Sequence, residues 1–406
     1  MSHSSPSPRR LYMDNAATSF PKPAGVLAAM TRYATELGAS AGRGAYHEAI
    51  ETGHLIATCR RRLNTLFNGQ DANHFVFTLN CSDALNLAIK GVLLARNSQP
   101  ATRNSVPHAI CTHIDHNSIL RPLGHLEDDG AIAVTRVPCD GVGLVSPDEV
   151  REAIRPETKL VAITHASNVT GTVQPIREIG RVCRERGVAL VVDAAQSAGH
   201  IPVDVQADFI DLLAAPGHKA LLGPLGTGFL YIRPGLEKTL RPLREGGTGS
   251  VSENDRQPEF MPDKFEPGSH NAIGIAGLSE GVQWVIDQGI EKLAAHDLDL
   301  VRTFIEGCSD VEGLTYFGPP GVRNRLGVFS VRVEGLEPYE LAAILESSYG
   351  ILTRPGLHCA PLAHAAIGTT QFGGTTRFSF SPFLTKQDVK FATDALAEVA
   401  ATRVAV

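Results

Sequence analysis

The sequence predicts an α/β protein: a mostly parallel central sheet flanked by helices, followed by a smaller α+β unit. Three observations carry this. Up to Ser250, short apolar runs alternate with helical stretches. Those runs have lost the period-2 alternation of a half-exposed sheet, as strands covered on both faces do. Beyond Ser250 comes a Pro/Asp/Glu-rich stretch, SENDRQPEFMPDKFEPGS, and then a mixture of helices and strands.

Ala24 to Leu37 and Ala45 to Phe67 read as helices, and His74 to Thr78 (HFVFT) as a strand followed by a helix from Ser82 to Leu94. His108 to Thr112 (HAICT) and Ala131 to Val137 are strand-like. Ser146-Pro147-Asp148-Glu149 has the form of a capping box with Pro at the first helical position, so a helix is expected to start there. Lys159 to His165 (KLVAITH) reads as a strand, Ile176 to Arg186 as a helix and Val188 to Val192 as a strand. Phe209 to Ala214 and Gly228 to Ile232 are further short apolar runs. The later part holds two helical runs, Ala276 to Gln288 and Ile290 to Cys308, then a strand at Gly327 to Val333 and a helix at Pro338 to Ser347. Strands at Ile351 to Arg354 and Thr375 to Ser381 and a helix at Lys386 to Ala400 complete it. The expected organisation is a disordered lead-in at 1–10, a large unit at 11–260 whose first segment packs on the smaller unit, and that smaller unit at 261–406.

The 406 residues suffice for two or three domains, and 43% hydrophobic with 20% charged residues is a globular composition. A net charge of −6 without a basic block argues against nucleic acid and acidic membrane surfaces as partners. The start, MSHSSPSPRR, has no apolar core of a signal peptide, and no apolar run has the length of a membrane span. Cysteines stand at 59, 81, 111, 139, 183, 308 and 359. Their odd number, wide spacing and lack of a CxxC pair predict reduced thiols in the cytoplasm, most of them small buried hydrophobes.

The polar residues that could do chemistry follow strand ends, where open α/β sheets collect ligands. Asp193 closes the run GVALVV (187–192), and Lys219 sits in the turn Pro216-Gly217-His218-Lys219. A carboxylate at the end of a buried strand and a lysine in a Gly-containing turn are the two parts a pyridoxal phosphate (PLP) site needs. The lysine forms a Schiff base, and the carboxylate keeps the pyridine nitrogen protonated. Asn80-Cys81-Ser82-Asp83 joins a strand to a helix, so its backbone N–H groups can cradle a phosphate. Asp115-His116-Asn117 follows HAICT, Ser167-Asn168 follows KLVAITH, and Gln196 follows Asp193. Singly, each of these is an ordinary turn or cap residue; the ordered series is the signal. Two decoys fall away. GPLGTG (223–228) leads into a strand rather than a helix, which a dinucleotide loop would require. His113 and His116 have metal-like spacing without a Cys/His/Glu set to complete a site.

Across nearly its whole length the chain resembles the class V aminotransferases of the fold-type I PLP enzymes, in particular the cysteine desulfurase and selenocysteine lyase branch. The resemblance rests on YMDNAATSFPKP (12–23), RGAYH (43–47), NCSDALN (80–86), DHNS (115–118), SNVTGTVQPI (167–176), VDAAQSAGHIPVD (192–204), GHKALLGPLGTG (217–228), FEPGSHN (265–271), RPGLHC (354–359) and TTRFSFSPF (375–383). It implies that Lys219 carries the cofactor and Asp193 pairs with its ring nitrogen. It implies further that His116 stacks on the ring and assists proton transfer, that Gln196 meets the phenolic oxygen, and that Asn168 meets that oxygen or the substrate carboxylate. Cys81, Ser82 and His218 would hold the phosphate, with Ser269 reaching it from the second subunit of a homodimer. Arg377 and Arg354 would bind the substrate, and Cys359 would take the sulfur of L-cysteine as a persulfide, with His116 and Arg354 favouring its thiolate.

Two positions depart from the family pattern. Pro216 stands where a Ser is frequent and offers neither hydroxyl nor N–H; Cys81 stands where Thr is common. The compact segment around Cys359 resembles the branch with a short, ordered loop, which implies an enzyme stimulated by a protein sulfur acceptor. Selenocysteine lyase is the nearest alternative activity. An aminotransferase or lyase with an incidental Cys359 is another, and a non-catalytic sulfur-relay partner is the reading from a different class.

Overall fold

This computed structural model describes residues 10–42, 44–95, 106–250, 253 and 255–404. The expected lead-in at 1–10 lies outside them except for Arg10, as does Arg43 of the RGAYH motif.

Runs of Val, Leu, Ile and Ala with no polar interruption become the strands of a seven-stranded sheet. Its order is Phe75–Thr78, Gly228–Ile232, Leu212–Pro216, Ala189–Asp193, Thr158–Thr164, His108–Thr112 and Ala133–Val137. The last five run parallel to one another. Gly228–Ile232 is antiparallel to both its neighbours, so Phe75–Thr78 again points the same way as the parallel set. Helices cover both faces, which is why the strands lack alternation. One face packs against His47–Leu66 and Ile176–Arg186, with Leu63, Phe67, Ile176 and Ile179 fully buried there. The other packs against Cys81–Leu93 and Asn117–Asp128, through Leu85, Ile89, Ile119 and Leu123.

The second unit is a four-stranded antiparallel sheet in the order Arg354–Gly356, Thr375–Ser379, Val328–Val333, Leu314–Tyr316. It is backed by the helices Ile290–Cys308, Pro338–Tyr349 and Lys386–Val404. Its core is aromatic: Phe304 stacks on Phe329 at 4.1 Å between ring centroids and meets Phe378 and Phe380 at 5.6 and 5.8 Å. The chain's first strand, Leu11–Tyr12, pairs in parallel with Ile351–Leu352, and Leu11 and Met13 enter this core. Ala272–Gln288 follows position 260 in sequence, yet its Ala272, Ile275, Leu278 and Val282 belong to the core of the central sheet.

Several elements differ from the sequence reading. The helix at Pro147–Ala153 begins where expected, but Ser146 makes no side-chain cap, so the fixed φ of Pro147 starts it alone. A reciprocal capping box does form, between Glu337 and Glu340. Asn117–Asp128 is a helix that Pro122 hides from a propensity reading. Phe209 stays outside its strand at φ +57°, and the strand starts at Leu212. The apolar run at 351–354 divides between two sheets, because Ile351–Leu352 pairs with the N-terminus and Arg354–Gly356 with Thr375–Ser379. Among the described residues no helix is long and apolar enough to cross a membrane.

Phe304→Ala removes the ring that three other phenylalanines share and should lower unfolding free energy by about 3–5 kcal/mol. Urea unfolding measures this, and a loss under about 1 kcal/mol would show that the cluster does not hold this unit together.

Candidate active site

Because the strands Phe75–Thr78, His108–Thr112, Thr158–Thr164, Ala189–Asp193 and Leu212–Pro216 run the same way, their C-terminal ends meet along one edge of the sheet. A cleft of about 500 Å³ opens there, lined by Asn80, Cys81, Ser82, His116, Asn168, Asp193, Gln196, Pro216, His218 and Lys219. Eight of the predicted site residues therefore share one cavity. Arg354, Arg377 and Cys359 stand around it, while Ser269 does not reach it.

The Lys219 turn is fixed through its backbone. The carbonyl of His218 accepts from Ser19 N at 3.0 Å, Thr18 Oγ1 at 3.1 Å and Lys22 Nζ at 2.8 Å. Ser19 Oγ donates to the carbonyl of Lys219 at 2.7 Å. Gly217 is required by contact, since a Cβ there would stand 2.2 Å from Thr227 Oγ1. The amine of Lys219 has no hydrogen bond or ion pair among the described residues. Burial lowers its pKa, against the pull of the Asp193 charge.

Asp193 is buried, and its Oδ1 accepts from Ala195 N at 2.9 Å and from Cys81 Sγ at 3.4 Å. Burial and the Asp193 charge push the Cys81 thiol well up, so it stays S–H and donates to the carboxylate. The side chain of Cys81 thus faces Asp193 rather than serving an anion. What the helix start offers an anion is the backbone N–H of Cys81 and Ser82, which an α-helix leaves unpaired. Asn80 caps this helix by accepting from Asp83 N at 3.0 Å.

His116 is set by Asp115, a buried carboxylate that ties two strand ends together: Oδ2 accepts from Thr112 N at 2.6 Å and Oδ1 from Thr164 N at 2.7 Å. His116 Nδ1 accepts from Ser118 N at 3.1 Å. A backbone N–H can only donate, so in the neutral ring the proton is on Nε2. Burial pushes the imidazole down to about 4, so it is neutral at pH 7 and brings no positive charge to Cys359. Ser118 Oγ lies 2.9 Å from His116 Nδ1 and 2.7 Å from Ser82 Oγ, which links the helix start to the imidazole.

Gln196 and Asn168 each spend one of their two amide N–H groups on a backbone carbonyl. Gln196 Nε2 donates to Ala16 O at 3.1 Å, and Asn168 Nδ2 donates to His358 O at 2.6 Å. The second bond, with Asn117 N donating to Cys359 O at 2.8 Å, clamps the Cys359 loop onto the large unit. The loop spans four residues between the strand Arg354–Gly356 and the helix Pro361–Ala366. His358 and Cys359 take left-handed φ values of +50° and +57°, so they point apart because of a turn and not because of strand alternation. Cys359 is exposed and His358 is buried.

Arg354 and Arg377 are direct partners in the antiparallel register and so share one face of the sheet. Arg377 is 1% exposed; its Nη2 donates to Asp14 Oδ1 at 2.6 Å and Nη1 to Asn168 O at 3.3 Å, while Nε is buried without a partner. Among the described residues Arg354 has no ion pair, so one carboxylate faces two guanidinium groups.

Ser269 is exposed in a separate groove with Gly226, Glu266 and His270. Glu266 fixes that segment: Arg60 Nη1 and His270 Nε2 lie 2.8 and 2.7 Å from its oxygens. Burial pushes Glu266 up, but Arg60 and His270 outweigh it and hold it at about 2. Asp14, Ser19, Lys22 and Ser118 carry no distinguishing sequence signal beyond lying in the quoted motifs, because their partners are 36 to 363 positions away or set by a local cap.

An unpartnered amine, a buried carboxylate, a helix N-terminus and a histidine with an orphaned Nδ1, His218, are the donor set that PLP requires of a protein. Comparison with known proteins agrees. The sequence pattern described as Aminotransferase class-V matches residues 11–391. The chain is 34% identical to a probable cysteine desulfurase of Methanothermobacter thermautotrophicus over 96% of its own length and 94% of the relative's. It is 32% identical to the cysteine desulfurase IscS of Methanosarcina thermophila, over 96% and 92% of the two chains. The solved cysteine desulfurase of Thermococcus onnurineus NA1 superposes with a TM-score of 0.89 at 31% identity, covering 97% of this chain and 95% of that one. With the pattern running from the first strand into the last helix, over the same strand-end cleft, the chain belongs to the class V aminotransferase family, in the fold-type I arrangement.

Proposed function

We propose that this chain is a PLP-dependent cysteine desulfurase that converts L-cysteine to L-alanine and passes the sulfur, through a persulfide on Cys359, to an acceptor protein. The observation that carries this reading is the clamped loop. It holds an exposed thiol beside a cleft containing an unpartnered lysine amine and a buried carboxylate. The names of the relatives support it. Seven free thiols fit a reducing cytoplasm.

Lys219 would hold the cofactor's aldehyde carbon and Asp193 its ring nitrogen. His116 would pack against the ring, with Gln196 and Asn168 toward the phenolic oxygen. Ser82, His218 and the backbone N–H groups of Cys81 and Ser82 would hold the phosphate, since Pro216 has no donor to give. Bound there, the cofactor supplies an electron sink for bond breaking at the substrate.

The chain's own residues do the rest. Arg377, seconded by Arg354, takes the substrate α-carboxylate, for which a planar fork is suited. Lys219, made less basic by burial, accepts the Cα proton. The Cys359 thiolate attacks the substrate sulfur. An S–S bond forms, the Cβ–S bond breaks with its electron pair left on carbon, a proton completes the methyl group of alanine, and Lys219 returns the proton it took to Cα. His116 lines the cleft with its N–H on Nε2 and can donate a hydrogen bond to the reacting atoms there. Ser269, exposed and away from its own cleft, would complete the phosphate site of the second protomer in a homodimer.

Cys359→Ala should lower alanine and sulfide formation from L-cysteine roughly 100-fold or more. Unimpaired turnover would sink the nucleophile assignment, and turnover retained with L-selenocysteine alone would shift the reading to a selenocysteine lyase. Arg377→Lys keeps the charge but loses the fork. Its KM for L-cysteine should rise about tenfold or more while the absorbance of bound PLP persists; an unchanged KM places the carboxylate elsewhere. PLP titrated into protein diluted below dimer dissociation should bind more weakly than into the dimer, and a monomer with full PLP affinity would refute the role given to Ser269.

A further inference from the structure

The Cys359 loop has a second support, behind the one made by Asn117 and Asn168. His358 Nε2 lies 2.8 Å from the carbonyl oxygen of Arg354. His358 Nδ1 lies 3.2 Å from His364 Nε2, and His364 Nδ1 lies 2.7 Å from Thr369 Oγ1. His358 is 4% exposed, and His364 and Thr369 are fully buried. The two rings are tilted, with centroids 5.3 Å apart.

The direction of every bond in this series follows from chemistry. A carbonyl oxygen only accepts, so His358 Nε2 carries a proton. Burial pushes His364 down to about 4 and His358 well below the ordinary imidazole range, and the nearby Arg377 acts the same way on both, so both rings are neutral. A neutral His358 protonated on Nε2 has a lone pair on Nδ1, and His364 Nε2–H must donate to it. His364 Nδ1 is then an acceptor, and the hydroxyl of Thr369 must donate to that. The series has one direction: Thr369 hydroxyl to His364, His364 to His358, His358 to the backbone of Arg354.

These bonds join both flanks of the loop. Arg354 is in the strand before it, and His364 and Thr369 are in the helix and turn after it. Between the flanks are His358 and Cys359, two consecutive L-residues in the left-handed region, which neither adopts without support. We infer that Thr369, His364 and His358 are positioning residues for the Cys359 thiol, a one-way series of three hydrogen bonds that holds the loop in its left-handed turn from behind. The inference rests on the proposed role of Cys359 for its effect on turnover, and on geometry alone for its effect on the loop.

Thr369→Val keeps the shape and removes the donor. His364 Nδ1 is then a buried acceptor without a donor, and the ring loses the bond that anchors it to the turn after the loop. In the PLP-loaded enzyme kcat for alanine formation should fall about tenfold with KM for L-cysteine unchanged within about twofold. Amide exchange across residues 354–362, followed by mass spectrometry, should quicken about fivefold or more. Thr369→Ser keeps the hydroxyl and should restore both. A valine variant that matches the wild type in both readouts overturns the inference, and so does a serine variant no better than valine, since packing rather than the proton would then matter. Should the valine variant not fold, histidine 15N shifts of the wild-type protein decide. Both rings neutral with the proton on Nε2 is the expected result, and a proton on Nδ1 of either ring overturns it. Unimpaired turnover of Cys359→Ala would sink the role of Cys359 alone, and amide exchange would still decide the series of bonds.

Discussion

An amine taken out of water without a partner is unfavourable, and the protein answers by making the uncharged form easier to reach. Much of the site serves this state of Lys219. The turn that carries it is tightly held: three donors from residues 18–22 converge on one carbonyl, and Gly217 allows a contact no side chain could make. The parallel strands on either side bring Asp193 close enough to oppose the lowering of its pKa without forming an ion pair. A direct pair would leave the amine unavailable. In the proposed reaction this leaves Lys219 able to take a carbonyl carbon or a proton.

Charge is left unbalanced in a second place. Arg354 and Arg377 are brought together by strand register, and among the described residues Asp14 is the one carboxylate paired with either of them. Two like charges at one register position destabilise a sheet, and the buried Nε of Arg377 lacks a partner as well. Such a pair persists where an anion completes it, as a substrate carboxylate would. Asp14 comes from the N-terminal segment, so the strand pairing of Leu11–Tyr12 with Ile351–Leu352 also places this carboxylate.

The two units meet at the Cys359 loop. Asn117 and Asn168 stand at strand ends of the large sheet, yet they bind the carbonyls of Cys359 and His358 in the small unit. Asn168 therefore belongs to the cleft by its position and to the loop by its hydrogen bond.

The sequence by itself determined the central sheet, its covering on both faces, and the membership of most of the cleft. Buried parallel strands and their polar C-terminal residues are local features, and the series from Asn80 to Lys219 could be read one strand at a time. Tertiary structure decided what each side chain faces. Cys81 turned toward Asp193 because burial keeps its thiol protonated, and Asn168 and Gln196 took backbone carbonyls that lie 190 and 180 positions away. The division of the run at 351–354 between two sheets depends on the N-terminal strand, more than 300 residues distant. His364 and Thr369 read as an unremarkable helix and turn, because a hydrogen-bond direction exists only once both partners and their burial are fixed. Periodicity and turn chemistry act over a few residues, whereas desolvation and partner choice are properties of the assembled core.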